Sequence, residues 1–241
     1  MNSWRNCKEP VYGNFCSSCG QPASLKRIDN HYIIQEIGDT LFAHKGMMYT
    51  IKKMFITPGK SVRQYITEDR HRFVKPITFV IVTSLVFALA SHLFRIDSKE
   101  YYQPTPEIEF PTVHLFINWI LNYHGYSSII SGLFIAFCVK LFFRKSDYNL
   151  FEIFVLLCYI SGISALLSSL IFTVQGLTHM NLIRISTFIV MIYCVWAIGQ
   201  FFNKRKATSY IKAFMSYSLG CFIFGTLVAI VAIFIDIVIK K

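Results

Sequence analysis

Five apolar segments, each long enough to cross a bilayer, constrain this chain more than any other feature. A hydrocarbon core of about 30 Å needs around 20 apolar residues in a helix. The segments are 76–94, 126–143, 150–174, 182–202 and 213–239. Because backbone N–H and C=O groups in lipid need partners within the same segment, each is predicted to be a helix. The predicted fold is an all-α integral membrane protein with a five-helix transmembrane bundle in residues 76–241.

Composition and charge support lipid as a partner. Hydrophobic residues make up 54% of the chain and charged residues 15%, whereas soluble domains average about 25% charged residues. The net charge of +11 could indicate nucleic acid. However, the basic residues flank the predicted helix ends, as the positive-inside rule requires, and no soluble recognition fold accompanies them. We therefore expect a lipid bilayer and no nucleic acid as partner.

The same charges predict the orientation. The second and third spans are joined by a loop with Arg144 and Lys145, and the fourth and fifth by a loop with Lys204, Arg205 and Lys206. The other loops carry fewer basic residues, and acidic residues accompany most of them. The positive-inside rule then predicts a cytoplasmic N-terminus and an outside C-terminus.

Residues 1–25 are predicted to form a short cytoplasmic tail that resembles a zinc knuckle. Cys16 and Cys19 stand in a C-x-x-C-G turn, in which two thiolates can converge on one metal ion. Cys7 offers a third ligand, but Trp4 stands where a fourth cysteine would be. Zinc prefers four ligands, so the site needs His31, a water or another chain. The alternatives are a zinc site and a degenerate knuckle without metal.

Residues 26–75 show the periodicity of short, basic, amphipathic helices, broken at Pro58-Gly59. These helices could pack as a cytoplasmic core, or they could lie in the headgroup region with their cations toward anionic lipid. The pattern favours the headgroup region, since the last helix leads directly into the first span. The residues expected to contact phosphate or a partner are Arg63, Arg70, Arg72 and Lys75.

Glu152 is the intramembrane carboxylate that most deserves consideration as a functional group. A carboxylate within a span is a functional candidate by default. Glu152 also begins the third span, where the positive end of the helix dipole stabilises a carboxylate without any further function. On the same span, Ser161, Ala165 and Ser169 form a small-residue face that predicts close packing by another helix. Gln200 lies at a helix end, where a polar group costs little.

Several of these motifs together resemble the bacterial membrane-protein family called domain of unknown function 3667. They are the Cys16-Ser-Ser-Cys19-Gly20-Gln21 tail, Pro58-Gly59 followed by Arg70 and a span led by Pro76, Tyr148-Asn149-Leu150-Phe151-Glu152, and Tyr193-x-x-Trp196-Ala197. The resemblance implies a polytopic inner-membrane protein whose N-terminus usually resembles a four-cysteine zinc ribbon. It implies no particular activity.

Two functional hypotheses follow. In the first, the chain is a non-enzymatic adaptor, assembly or regulatory factor, and its N-terminal part binds a protein partner, a second copy or anionic lipid. In the second, it is a small transporter, channel or lipid-handling protein that uses Glu152 and polar residues between the spans. The sequence shows no catalytic nucleophile–base pair, phosphate loop or zinc-protease motif, which favours the first.

Overall fold

The computed structural model describes residues 45–67, 72–94, 112, 115, 119, 123–178 and 180–239. The chain divides between His44 and Lys45 into two units, and all described residues belong to the second. Within these ranges the secondary structure is helical and no strand occurs, which confirms the all-α prediction. The helices are α1 (Lys45–Ile56), α2 (Pro58–Thr67), α3 (Pro76–Leu93), α4 (His124–Phe142), α5 (Leu150–Thr178), α6 (Ile183–Asn203) and α7 (Ala207–Ile239).

In the described part of the chain, the five helices α3 to α7 are long and apolar enough to cross a membrane, so each predicted span coincides with a candidate span. Two boundaries differ from the prediction by about a helix turn or more, and the others lie within two residues of it. Helix α5 continues to Thr178 rather than ending at residue 174, and α7 begins at Ala207 rather than at residue 213. The apolar run marks only the part of a helix that suits lipid, whereas the backbone hydrogen bonds continue through the polar turns beyond it.

Helices α3 and α5 pack closely at small residues of α5, and Ala165 is the one member of the predicted face (Ser161, Ala165 and Ser169) seen in these contacts. The ring of Phe79 lies so close to Gly162 that a Cβ there would stand 2.4 Å from two ring atoms. One helix turn further along, Ala165 is buried in a cluster with Phe87 of α3 and Phe172. The absence of side-chain bulk on α5 therefore sets how closely these two spans approach.

The loops after α4 and after α6 lie side by side at one end of the bundle. The ring of Phe143 stacks on that of Phe202 with centroids 3.8 Å apart, and Tyr148 contacts Phe201 at 4.4 Å. Because the spans alternate in direction, this end also holds the starts of α3, α5 and α7. We refer to it as the basic end.

The two short helices α1 and α2 pack against α5 and α6 at the basic end. Met54 of α1 and Val62 of α2 are fully buried in the main hydrophobic core, which they share with Ile153 of α5 and Ile198 of α6. The sequence offered a packed core as one alternative for these short helices. The contacts of Met54 and Val62 with α5 and α6 are of that kind. The predicted position of residues 26–75 in the headgroup region stays a prediction, and residues 26–44 lie outside the described part.

Candidate binding surface at the basic end

The junction between α1 and α2 is held by two polar side chains of α6. A helix carbonyl normally accepts from the N–H four residues later, but for Met54 that residue is Pro58, which has no N–H. The Tyr193 hydroxyl donates to the Met54 carbonyl instead, at 3.1 Å. The Gly59 N–H donates to Gln200 Oε1 at 2.8 Å. Both backbone groups are buried, so each side chain supplies a partner that water cannot.

Gly59 also lets α2 approach the α6 backbone. A Cβ at this position would lie 2.4 Å from the Phe201 nitrogen and 2.7 Å from the Gln200 oxygen, closer than van der Waals contact permits. Next to it, the Arg63 guanidinium donates to the Phe201 carbonyl at 2.7 Å. That carbonyl lies in the last turn of α6, where carbonyls lack intrahelical partners. Arg63, predicted to contact phosphate or a partner, therefore caps a helix within the fold.

Residues 72–75, which lead into α3, lie against α1. The Val74 N–H donates to the Thr50 hydroxyl at 3.1 Å, and the Val74 carbonyl accepts from the Tyr159 hydroxyl of α5 at 2.6 Å. The Phe73 ring packs edge-on against the rings of Tyr49 and Tyr65. Helices α1 and α2 and residues 72–75 are thus fixed to the bundle by buried hydrogen bonds.

Among the side chains that the structure describes in α1, α2 and residues 72–75, four cations are exposed. They are Lys52, Lys60, Arg72 and Lys75, and we call them the basic platform. Arg72 and Lys75 are two of the residues predicted from the sequence to contact phosphate or a partner. The third, Arg70, lies outside the described residues.

Positive charge gathers at the basic end well beyond the platform. Among the described residues, every Lys and Arg except Arg184, at the start of α6, belongs to an element or loop of this end. The described acidic residues at the same end are Asp147 and Glu152. The two basic loops that the sequence assigned to one side of the membrane therefore do lie together.

Glu152 stands in the first turn of α5, where it forms a reciprocal cap with Asn149. The Asn149 N–H donates to the Glu152 carboxylate at 2.8 Å, and the Glu152 N–H donates to Asn149 Oδ1 at 2.8 Å. This arrangement satisfies backbone donors that an isolated helix start leaves unpaired. It is the helix-start role that the sequence offered as the alternative to a functional carboxylate.

The predicted zinc ligands Cys7, Cys16 and Cys19 lie outside the described residues, so their fit to a metal ion stays a prediction. Within the described ranges, no three His, Cys, Asp or Glu side chains stand close enough to hold a metal ion. Cys138, Cys158 and Cys194 are buried free thiols in the spans, and Cys221 is an exposed one. They do not form part of the basic end.

The most important residues that the sequence did not single out are Gln200 and the hydroxyl of Tyr159. Gln200 was interpreted as a helix-end residue of little consequence, yet it is only 8% exposed. Pro58 gave a signal only for Tyr193, since the missing N–H of Pro58 leaves the Met54 carbonyl in need of a donor. Which side chain supplies that donor depends on tertiary packing, which sequence periodicity does not reveal.

The fold and this surface define a class: a five-span helical protein of membrane type whose basic end carries a short helix pair ahead of the first span. A family model described as "Protein of unknown function (DUF3667)" matches residues 45–88, which confirms the resemblance to this family over those residues. The zinc-ribbon-like N-terminus and the bacterial inner membrane stay predictions. The matched residues cover α1, α2 and most of α3, less than a fifth of the chain. No curated protein and no solved structure shows significant similarity to the chain.

Proposed function

We propose that this chain is a non-enzymatic, multi-pass protein of the bacterial inner membrane that acts as an adaptor, assembly or regulatory factor. Its basic end faces the cytoplasm, with the N-terminus inside and the C-terminus outside, and binds anionic lipid or an acidic protein partner. The observation that supports this proposal is the distribution of charge. All described Lys and Arg except Arg184 belong to one end of the bundle, as cytoplasmic ends require.

The anchoring of the helix pair adds to this support. A flexible basic segment loses conformational entropy when it binds, whereas a surface held by the bundle has already lost it. The hydrogen bonds from Gly59 to Gln200 and from Tyr193 to Met54 hold the helix pair before any ligand arrives. The basic platform is therefore preorganised, and each exposed Lys or Arg near an anionic leaflet contributes about 1 kcal/mol of attraction.

The alternative function, a small transporter, channel or lipid-handling protein, gains no specific support from Glu152. Its carboxylate caps the start of α5 together with Asn149. Zinc on Cys7, Cys16 and Cys19, a metal-free knuckle, and binding of a second copy all stay predictions. Neither the proposed function nor its test depends on them.

A photo-crosslinking residue at position 60 tests the proposal in the full-length protein. Lys60 is exposed on the platform, and Arg184 is an exposed cation at the opposite end, so the same residue at position 184 is the matched control. In nanodiscs that mix phosphatidylglycerol with phosphatidylcholine, we expect position 60 to crosslink phosphatidylglycerol above its bulk fraction and position 184 not to.

The corresponding experiment in native membranes tests the protein partner. A discrete protein adduct at position 60, absent at position 184, supports the adaptor function with an acidic protein as the ligand. Bulk lipid composition at both positions together with no position-specific protein adduct contradicts the proposal. Correct folding of both variants is checked by unchanged thermal unfolding, since both replaced side chains are exposed.

A further inference from the structure

An open pocket of about 580 Å³ lies between the loop after α4 and the loop after α6. It is separate from the basic platform. Four cations line it: Arg144, Lys145, Lys206 and Lys212. The one carboxylate among its lining residues in the described part of the chain is Asp147. A concave surface with such an excess of one charge concentrates the electrostatic potential, so its ligand is expected to be an anion.

The shape of the pocket is fixed by contacts between and within its two loops. Phe143 and Phe202, one from each side, stack with an interplanar angle of 8°. Beneath the first loop, Lys140 Nζ donates to the Tyr148 carbonyl at 2.6 Å and to the Ser146 carbonyl at 3.3 Å. The backbone that carries the loop cations is therefore held in place, which lowers the entropic cost of binding a ligand between the loops.

Hydrogen-bond donors for oxygen atoms accompany the cations. Thr208 and Ser209, in the first turn of α7, line the pocket. The start of a long helix carries a partial positive charge, and its first N–H groups lack intrahelical partners. Of these, the Ser209 N–H donates to the Lys206 carbonyl at 3.0 Å. Lys212 lies on the same helix with its Nζ 6.0 Å from the Phe143 ring centroid, which directs it toward the pocket wall. Several cations with hydroxyl and N–H donors form a donor set suited to phosphate.

The position of the pocket along the spans indicates where that phosphate comes from. Helix α7 has 33 residues, which corresponds to about 50 Å at 1.5 Å per residue. A hydrocarbon core is about 30 Å thick, so the polar first turns of α7 extend beyond it. Apolar Leu141 and Phe142, at the end of α4, line the same pocket. At the level of the headgroups, the cations of the pocket suit the phosphate of a lipid, and the apolar wall suits its acyl chains.

We propose that this pocket binds the phosphate group of one anionic phospholipid, with the acyl chains along the apolar ends of the spans. The inference deepens the proposed function and rests on it for placing the basic end at the headgroup level. It goes further by assigning a discrete lipid site to residues outside the helix pair.

The test compares two pairs of substitutions in the loop after α6 and the turn that follows. Lys206→Gln with Lys212→Gln removes two cations from the pocket. Lys204→Gln with Arg205→Gln removes two exposed cations from the same loop that do not line it. Full-length protein in detergent is titrated with short-chain phosphatidylglycerol, and binding is followed by native mass spectrometry. We expect the pocket pair to weaken binding about thirtyfold and the control pair less than about twofold.

Each other outcome overturns the assignment. If both pairs weaken binding equally, the attraction is diffuse and the pocket is not a site, while the crosslinking at position 60 still decides the proposed function. If inorganic phosphate displaces the lipid and binds as tightly, the ligand is a soluble phosphate. If phosphatidylcholine binds as well as phosphatidylglycerol, the anionic charge is not recognised. Unchanged thermal unfolding of both pairs excludes a folding defect as the cause.

Discussion

At the scale of single residues, Gly59 decides whether the helix pair can sit on α6 at all. Its α-carbon faces the backbone of Gln200 and Phe201 with no room for a side chain. Backbone atoms cannot rotate away as the end of a flexible side chain can. The backbone N–H of Gly59 donates to Gln200 Oε1. Any displacement of α2 therefore also lengthens a buried hydrogen bond.

Gly59→Ala is therefore expected to lower the free energy of unfolding by about 3 kcal/mol, the upper part of the range for overpacking a core. The control is Gly225→Ala on α7, where a Cβ meets nothing within 4 Å. Thermal unfolding of the purified proteins in the same detergent provides the measurement. Equal unfolding midpoints for the two variants would contradict the close packing of α2 on α6.

Residue-level prediction from sequence succeeded where a local rule sufficed. Pro58-Gly59 was correctly predicted to break the helix, because proline lacks an N–H and glycine tolerates unusual backbone geometry. Arg63 was predicted to contact phosphate or a partner, and its guanidinium instead reaches carbonyls of α6 more than 130 residues away. A charge pattern identifies a cation but not its acceptor, since the acceptor belongs to another helix. Gln200 was missed for the same reason.

At the scale of elements, α1, α2 and the connection to α3 behave as one attachment to the bundle. Two tyrosine hydroxyls, from Tyr193 on α6 and Tyr159 on α5, donate to the Met54 and Val74 carbonyls. Both bonds are buried and join segments far apart in sequence. Hydrophobic contacts of Met54 and Val62 add to these two hydrogen bonds. Apolar burial therefore stabilises the helix pair on the bundle, and the tyrosine hydroxyls orient it.

Tyr159→Phe and Tyr193→Phe should each lower stability by about 1 kcal/mol, because the ring stays and only the hydrogen bond is lost. Amide hydrogen exchange should become faster in residues 45–75 of either variant and remain unchanged in α7. Tyr126→Phe is the matched control, since Tyr126 is 68% exposed at the opposite end. Exchange in residues 45–75 that matches the wild type in both variants would show that these hydroxyls do not hold the helix pair.

The five spans could be predicted from sequence because a long apolar run has few other uses in a protein. Their boundaries were less accurate where polar turns continue the helix, as at Ala207. The periodicity of residues 45–67 gave the apolar side of α1 and α2 without showing that this side meets α5 and α6. Periodicity describes one helix at a time, whereas packing joins two.

At the scale of the whole molecule, the cations gathered at the basic end predict the orientation of the chain in the membrane. The loop after α6 holds Lys204 among other cations, while the loop after α5 holds Met180, which is exposed. The positive-inside rule then places residue 204 in the cytoplasm and residue 180 outside.

Labelling with a membrane-impermeant maleimide tests this orientation. In intact spheroplasts, Met180→Cys should be labelled, and Lys204→Cys should be labelled only after permeabilisation. The unsubstituted chain is the control for its seven native cysteines. The reverse pattern would place the basic end outside and would remove the basis for a cytoplasmic partner.

The hydrogen bond between Gly59 and Gln200 has a consequence for biosynthesis. Its partners are 141 residues apart, so on the order of 10 s of translation separates the synthesis of one from that of the other. Throughout that interval the helix pair has no α6 to dock on, although the first, second and third spans can already insert. The helix pair α1 and α2 is synthesised before any span, yet it is one of the last parts to reach its native contacts. It reaches them only when α6, the fourth span, is in place.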